Sequence, residues 1–445
     1  MSVHPIDSQV FGSGWASDEL RPLFDDAGRT RGWCEVLAVL AEEEARLGII
    51  PADASTEIAR VLRGEPVDLE EVRRATAETN HSLLGLIRVL AGRCRNGAGE
   101  WICYGATVQD VSDTWYALTL LKVADVAERD LIAIEADLVA LARSHRSTPM
   151  LGRTHGQAGL PITFGFKVAG WADEIRRHQA RLTELRPRLG VGQLAGGVGT
   201  LSGYGPQGLE LQARVMGRLC LAVPEISWTS SRDRFAEFVV WLAFVTALLD
   251  RIGHEVYNLQ RSEIGELAEH AGAGDVGSIT MPQKRNPERS EHLGTLARLV
   301  RSDADMMLEG LVGDHERDGR SWKLEWAAIP EACVATGAAL LSARELIAGL
   351  EVRVDTMLRN LNQNQEEVAA ESIMLALAPL IGKQTAHERV HAAVARAHAA
   401  GRSTREELRD DPEVGGRLPE AEIDRLLGSP STALAEVLVD RVVGP

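Results

Sequence analysis

Apolar residues recur along most of this chain at steps of three and four, the spacing that lines one face of an α-helix. The plainest case spans about 231–269. There Phe235, Phe238, Val239, Leu242, Val245, Leu249, Ile252, Val256 and Leu259 are interleaved with Arg232, Glu237, Asp250 and Glu255. The pattern predicts a helix of about 40 residues, on the order of 60 Å at about 1.5 Å per residue. Two more long helices are predicted over 114–146 and 161–186, the second stopped by Pro187, which lacks an N–H and crowds the preceding turn. Helices of this length rarely stand alone. The expectation is an all-α fold, a long-helix bundle, with an N-terminal helical domain over 1–104, the central bundle over 105–350 and a C-terminal helical domain over 351–445. So elongated a bundle has more flank than one chain can cover, which points to an oligomer.

Composition narrows the function classes. The 445 residues are 45% hydrophobic and 25% charged, ordinary for a globular protein, and the formal net charge is -16. Nucleic acid is not expected as a partner, because phosphate binding needs a basic face and no Lys/Arg block supplies one. No membrane is expected either, since no run approaches the roughly 20 apolar residues of a span. The first residues show no basic start followed by an apolar core, so the expected location is cytoplasmic. The five cysteines (Cys34, Cys94, Cys103, Cys220, Cys333) are scattered and unpaired in spacing, which fits free thiols in a reducing compartment.

Three Gly-bearing loops separate the long helices, at 153–159, 190–205 and 271–287. Two motifs on the chain imitate known sites. Gly190-Val-Gly192-Gln-Leu-Ala195 matches a loose dinucleotide fingerprint, but a helix precedes it and more glycines follow, so it reads as a loop. His387-Glu388-Arg389-Val390-His391 spells a zinc-protease pattern, yet His398 is one step off the spacing of a third ligand and the surroundings are an Ala-rich amphipathic helix. Neither a metal nor an organic cofactor is expected.

The chemistry concentrates in Gly277-Ser278-Ile279-Thr280-Met281-Pro282-Gln283-Lys284-Arg285-Asn286-Pro287, which runs on to Glu291. A Gly-flanked loop there carries a hydroxyl, an ammonium and a carboxamide, then enters a helix with a carboxylate near its start. Loop N–H groups and Lys284 together can hold a carboxylate and stabilise charge that builds on it. A serine among such donors can have its pKa lowered enough to serve as a base.

This stretch resembles the signature of the fumarase/aspartase superfamily, Gly-Ser-Ser-x-Met-Pro-x-Lys-x-Asn, with Ile279 in place of the second serine. Two other blocks resemble regions of the same superfamily: Gly105-Ala106-Thr107-Val108-Gln109-Asp110 through Thr114, and Gly152-Arg153-Thr154-His155-Gly156-Gln157. The resemblance implies a fumarase/aspartase-like bundle whose homotetramer forms a twenty-helix core, each active site drawing on three subunits. It implies Ser278 as base, His155 as acid supported by Glu291, and Lys284 stabilising the intermediate. Thr107, Gln109, Thr154, Gln157 and Asn286 are then expected to hold a small anionic dicarboxylate.

Within that superfamily, His155, the run Ser231-Arg232-Asp233-Arg234 and His315-Glu316-Arg317-Asp318 resemble adenylosuccinate lyase, and His81 roughly matches a second active-site histidine there. His81, Arg234 and Arg317 are therefore added to the expected substrate contacts. Trp322 and Trp326 stand where that enzyme places phosphate ligands, and two indoles cannot replace a hydroxyl and a guanidinium. The Trp-x-x-Glu-Trp run and residues 420–427 instead resemble bacterial 3-carboxy-cis,cis-muconate cycloisomerase, which carries Trp where this chain has His155. The expected function is β-elimination from an N-substituted succinate, a carbon–nitrogen lyase releasing fumarate and an amine-like product. The alternatives are the lactonising cycloisomerase and a non-catalytic structural homologue.

Overall fold

The computed structural model describes residues 3–272, 274, 276–428 and 431–444. Ala273 and Asp275, inside the loop read at 271–287, lie outside the described residues. The architecture is helical, as the periodicity predicts. Five long helices dominate: Val108–Ser144, Phe164–Leu189, Asp233–Gln260, Glu288–Glu309 and Gly319–Ala348. The strands are short and form two antiparallel pairs, Pro149–Thr154 with Gln157–Thr163 and Leu267–Ala268 with Glu351–Val352.

Helix positions agree with the pattern better than helix ends do. The helix expected over 231–269 is Asp233–Gln260, of 28 residues, or about 42 Å at about 1.5 Å per residue. Past the helix end a turn closes at Gly265, left-handed at φ 63°, whose N–H bonds the Arg261 carbonyl at 2.8 Å. Leu267 and Ala268 then pair with residues 352 and 351, so apolar spacing beyond Gln260 reports strand burial. The helix expected over 161–186 is Phe164–Leu189. Pro161 lies on a strand opposite Leu151, and Pro187 sits inside the last helical turn without ending it, because Gly190 N–H still reaches the Arg186 carbonyl at 2.9 Å.

The chain divides into two compact units. The first comprises residues 1–132, 177–251 and 292–344. Its interior includes a cluster of Val39, Leu40, Ala117, Tyr204, Leu211 and Met216, which seats the Gly-rich segment 190–205. That segment follows a helix and runs as loop and a short 3₁₀ turn, Ser202–Gln207, as expected of a loop rather than a nucleotide-binding turn. Helix Gly319–Ala348 is the one helix among the described residues long and apolar enough to cross a membrane, and 67% of its apolar window is buried inside the protein. A core helix has that property equally.

The second unit comprises residues 133–176, 252–291 and 345–445. Its C-terminal helices pack around Ile373, Leu377, Val390, Leu408, Ile423 and Leu427, all buried. Both strand pairs and the loop at 271–287 belong to this unit. All five cysteines are free thiols.

Candidate active site

The signature loop is held at its two ends. Gln260, the last residue of its helix, accepts the Glu269 N–H on its side-chain oxygen at 2.7 Å. Glu269 then caps helix Glu288–Glu309 from outside that helix, its carboxylate accepting the N–H groups of Arg289 at 3.1 Å and Ser290 at 2.8 Å. A carboxylate there meets both orphan donors and the positive end of the helix dipole. The segment between is thereby closed at its base. Near its start Gly277 lies so tight that a Cβ would come within 2.6 Å of the Lys284 carbonyl oxygen and 2.9 Å of Arg285 Cα. No other residue fits that crossing without moving the loop.

Inside this loop the half-buried Ser278 Oγ accepts the N–H of Met281 at 3.0 Å and, more weakly, that of Thr280 at 3.4 Å. Donors aimed at a hydroxyl oxygen favour its ionised form. Ile279, where the superfamily pattern has serine, points outward and is almost fully exposed. Lys284 is exposed, Asn286 donates its amide to Glu288 Oε1 at 3.2 Å, and Glu291 lies on the first turn of the helix.

Thr154, His155 and Gln157 sit on a β-hairpin, not on a simple loop. Thr154 pairs with Gln157, leaving His155 and Gly156 as a two-residue turn. Both have positive φ, 52° and 74°, the geometry of a type I′ turn that matches strand twist. Gly suits that conformation, and His tolerates it better than most residues. The imidazole therefore stands at an exposed tip. Arg153 braces the hairpin through a bidentate pair with buried Glu266, at 2.9 and 2.7 Å, and Asn360 donates to the same carboxylate at 2.9 Å. No hydrogen bond joins Ser278 to His155 among the described residues.

The remaining predicted residues belong to the first unit. Thr107 precedes helix Val108–Ser144, and its N–H is bonded by Asp110 Oδ2 at 2.9 Å, a capping-box arrangement with Asp as the reaching carboxylate. Asp110 also takes the N–H groups of Ala195 and Gly196, each at 2.9 Å, so one side chain joins the first block to the Gly-rich segment. Burial pushes the Asp110 carboxyl up to about 6, against those three donors. Arg317 donates to Thr107 Oγ1 at 3.0 Å and to the Gly197 carbonyl at 3.1 Å. Gln109 is buried, and its amide donates to the Thr229 carbonyl at 2.9 Å. Arg234 donates to the Arg188 carbonyl at 2.9 Å. His81 caps helix Ser82–Arg93, its Nδ1 accepting the Leu84 N–H at 3.1 Å. Thr107 and Arg317 thus meet, whereas Gln109, Arg234 and His81 each have a partner that a structural role explains.

Residues 14–301 match the family model described as Lyase, and residues 367–442 match the one described as adenylosuccinate lyase C-terminus. The chain belongs to the fumarase/aspartase superfamily of lyases. It is 36% identical to N-acetyl-S-(2-succino)cysteine lyase of Dickeya dadantii (strain 3937), over 96% of this chain and 94% of that one. It is 37% identical to 3-carboxy-cis,cis-muconate cycloisomerase of Pseudomonas aeruginosa, over 94% and 92%. Among solved structures, a fumarate lyase from Mesorhizobium sp. BNC1 superposes with a TM-score of 0.88 at 36% identity, covering 97% of this chain and 98% of the other.

In this lyase the residues that hold the blocks in shape are mostly ones that sequence reasoning passed over. Arg232 is buried between Asp113, at 2.8 and 3.0 Å, and Glu325, at 2.6 Å to both oxygens. Its guanidinium also lies 5.2 Å from the centre of the Trp228 ring and 5.3 Å from that of Phe235. Burial raises the Glu325 carboxyl while Arg232 pulls it down, and burial likewise opposes the Arg232 charge that the two carboxylates sustain. Trp322 is buried against Trp326 in an edge-on contact at 5.1 Å. The Ser-Arg-Asp-Arg run pointed to this region, but only tertiary contacts separate buried Arg232 from Arg234. Among the described residues no group of three or more His, Cys, Asp or Glu is placed to hold a metal ion.

Proposed function

We propose that this lyase eliminates a nitrogen-linked group from an N-substituted succinate, releasing fumarate and an amine-like product. The observation that carries this reading is the Ser278 hydroxyl oxygen accepting the Met281 and Thr280 N–H groups in a loop that Gly277 pins. Ser278, as alkoxide, removes the proton from the carbon next to one carboxylate. The electron pair spreads into that carboxylate as an aci-carboxylate, stabilised by loop N–H groups and Lys284. The pair then returns to form the C=C bond as the C–N bond breaks. His155, supported by Glu291, delivers a proton to the departing nitrogen. Thr107, Thr154, Gln157, Asn286 and Arg317 hold the carboxylates, with Gln109, His81 and Arg234 around them. Membership of the superfamily supports a homotetramer whose sites are shared between protomers, and the residues expected to act call for no cofactor. In a Ser278→Ala variant, fumarate formation from N-succinyl amines should fall about 1000-fold, and near-normal turnover would reject Ser278 as base.

One observation favours a second reading. The relative from Dickeya dadantii is named for a sulfur-linked succinate. A thiol with a pKa of about 8.5 leaves as thiolate without prior protonation, whereas an amine cannot leave as its anion. Replacing His155 by Gln separates the two. Turnover of N-succinyl compounds should collapse in that variant if nitrogen is the natural leaving atom. Turnover of S-succinyl compounds that survives in the variant, with N-succinyl compounds poor substrates of both proteins, would assign this chain to thioethers.

A further inference from the structure

The His-Glu-Arg-Val-His segment is unused by the elimination just described, yet it faces an open cleft of about 820 Å³ in the second unit. Three element faces converge there. Helix Lys383–Ala400 contributes His387, Val390, His391 and Val394, one stripe at three- and four-residue steps. Helix Ala370–Ile381 contributes Glu371 and Met374, one turn apart. The hairpin presents Gly152 and Thr154 on one strand and Leu160 and Ile162 on the other. Thr154 lines the cleft, and His155 follows it directly at the hairpin tip. A volume of this size takes a ligand much larger than a four-carbon diacid.

The charges around the cleft are unequally engaged. Arg153 is held by Glu266, and Lys167 by Glu255 at 2.6 Å. Glu367 faces His398 at 3.0 Å. Glu371 is exposed and forms no ion pair among the described residues. Leu160, Ile162, Phe166, Met374, Val390 and Val394 give the cleft an apolar lining. Arg153 and Lys167 are thus neutralised and the His387 and His391 rings stack on each other, while the Glu371 carboxylate is left open beside an apolar lining. A ligand with an apolar body and a positive end fits that distribution, and an anionic end would meet Glu371 and Glu367.

We infer that this cleft receives the leaving-group end of the substrate and selects one bearing a second positive charge, an N-succinyl diamine with an apolar spacer. The inference rests on the elimination reading above and deepens it by naming the leaving group's chemistry. Glu371 is a specificity residue in this scheme. His387 and His391, whose ring centres are 6.1 Å apart and stacked, form one wall of the cleft.

Two compounds with one ring and opposite ends test it: the N-(1,2-dicarboxyethyl) derivatives of 4-(aminomethyl)benzylamine and of 4-(aminomethyl)benzoate. The full-length enzyme should favour the ammonium compound about five-fold in kcat/KM, the range of a partly exposed ion pair. Glu371→Gln should bring the ratio near one and Glu371→Lys should invert it. Equal ratios in all three proteins overturn the inference while leaving the elimination standing. A binding measurement runs independently of turnover: free 4-(aminomethyl)benzylamine titrated calorimetrically into Ser278→Ala should release or absorb heat that Ser278→Ala/Glu371→Lys does not. Identical titrations in the two variants overturn the cleft's role. Loss of all turnover of succinyl amines by the wild-type enzyme strikes the elimination reading instead.

Discussion

Arg317 and Thr107, 210 positions apart in sequence, are joined by a 3.0 Å hydrogen bond from guanidinium to hydroxyl. The bond brings two expected substrate contacts together beside the Gly197 carbonyl, which Arg317 also reaches. A guanidinium so placed pairs well with a carboxylate. Arg317→Met should lower kcat/KM for a succinate-type substrate roughly 10- to 100-fold, the value of a hydrogen bond to a charged group. The inhibition constant of succinate should rise in parallel. An unchanged inhibition constant would reduce the pair to a structural link.

Gly277 offers a test of loop geometry. A methyl group there would meet the Lys284 carbonyl oxygen at 2.6 Å, so Gly277→Ala must displace the loop crossing. Turnover should drop by at least about 10-fold, because roughly an ångström of misplacement at a reacting group is costly. The thermal midpoint should barely move, since the loop is exposed and its ends are tied independently through Glu269. A large loss of stability with normal turnover would contradict the expectation.

Arg232 should govern stability. Its removal leaves Asp113 and Glu325 buried without a counter-charge. Arg232→Met is expected to destabilise the protein by about 3–5 kcal/mol, seen as an earlier denaturant midpoint. Adding Asp113→Leu and Glu325→Met should recover much of the loss, because apolar side chains of similar size need no partner. A triple variant no better than the single one would show that the ion pairs themselves are required.

Glu44 supplies a pH dependence. Its side chain is fully buried, both carboxylate oxygens lack hydrogen-bond partners among the described residues, and burial pushes its pKa up to about 9. The unfolded chain releases this proton near an ordinary glutamate pKa of about 4.3. Between that value and about 9 the folded state holds a proton that the unfolded state lacks. Stability contributed by this group is therefore full below the unfolded pKa and is lost as pH rises through the folded one, by at most about 1.4 kcal/mol per pH unit. Glu44→Gln should flatten the decline in denaturation midpoint between about pH 6 and 9. Parallel profiles for wild type and variant would show that Glu44 ionises freely.

The sequence by itself determined the helical architecture, because three- and four-residue apolar steps such as those of Phe235, Phe238, Val239 and Leu242 admit one buried face and one secondary structure. It also determined membership of the superfamily, through three blocks whose residue types are tied to a local backbone, such as Gly277 at its crossing. Local spacing could not decide where strands replace helix. Leu267 and Ala268 continue a helical rhythm, yet they pair with residues more than 80 positions away. The burial of Arg232 beside exposed-looking Arg234 and the meeting of Arg317 with Thr107 were likewise decided by tertiary structure. Each depends on a partner distant in sequence, and a hydrogen bond or buried charge pair leaves no periodic trace in the chain that makes it.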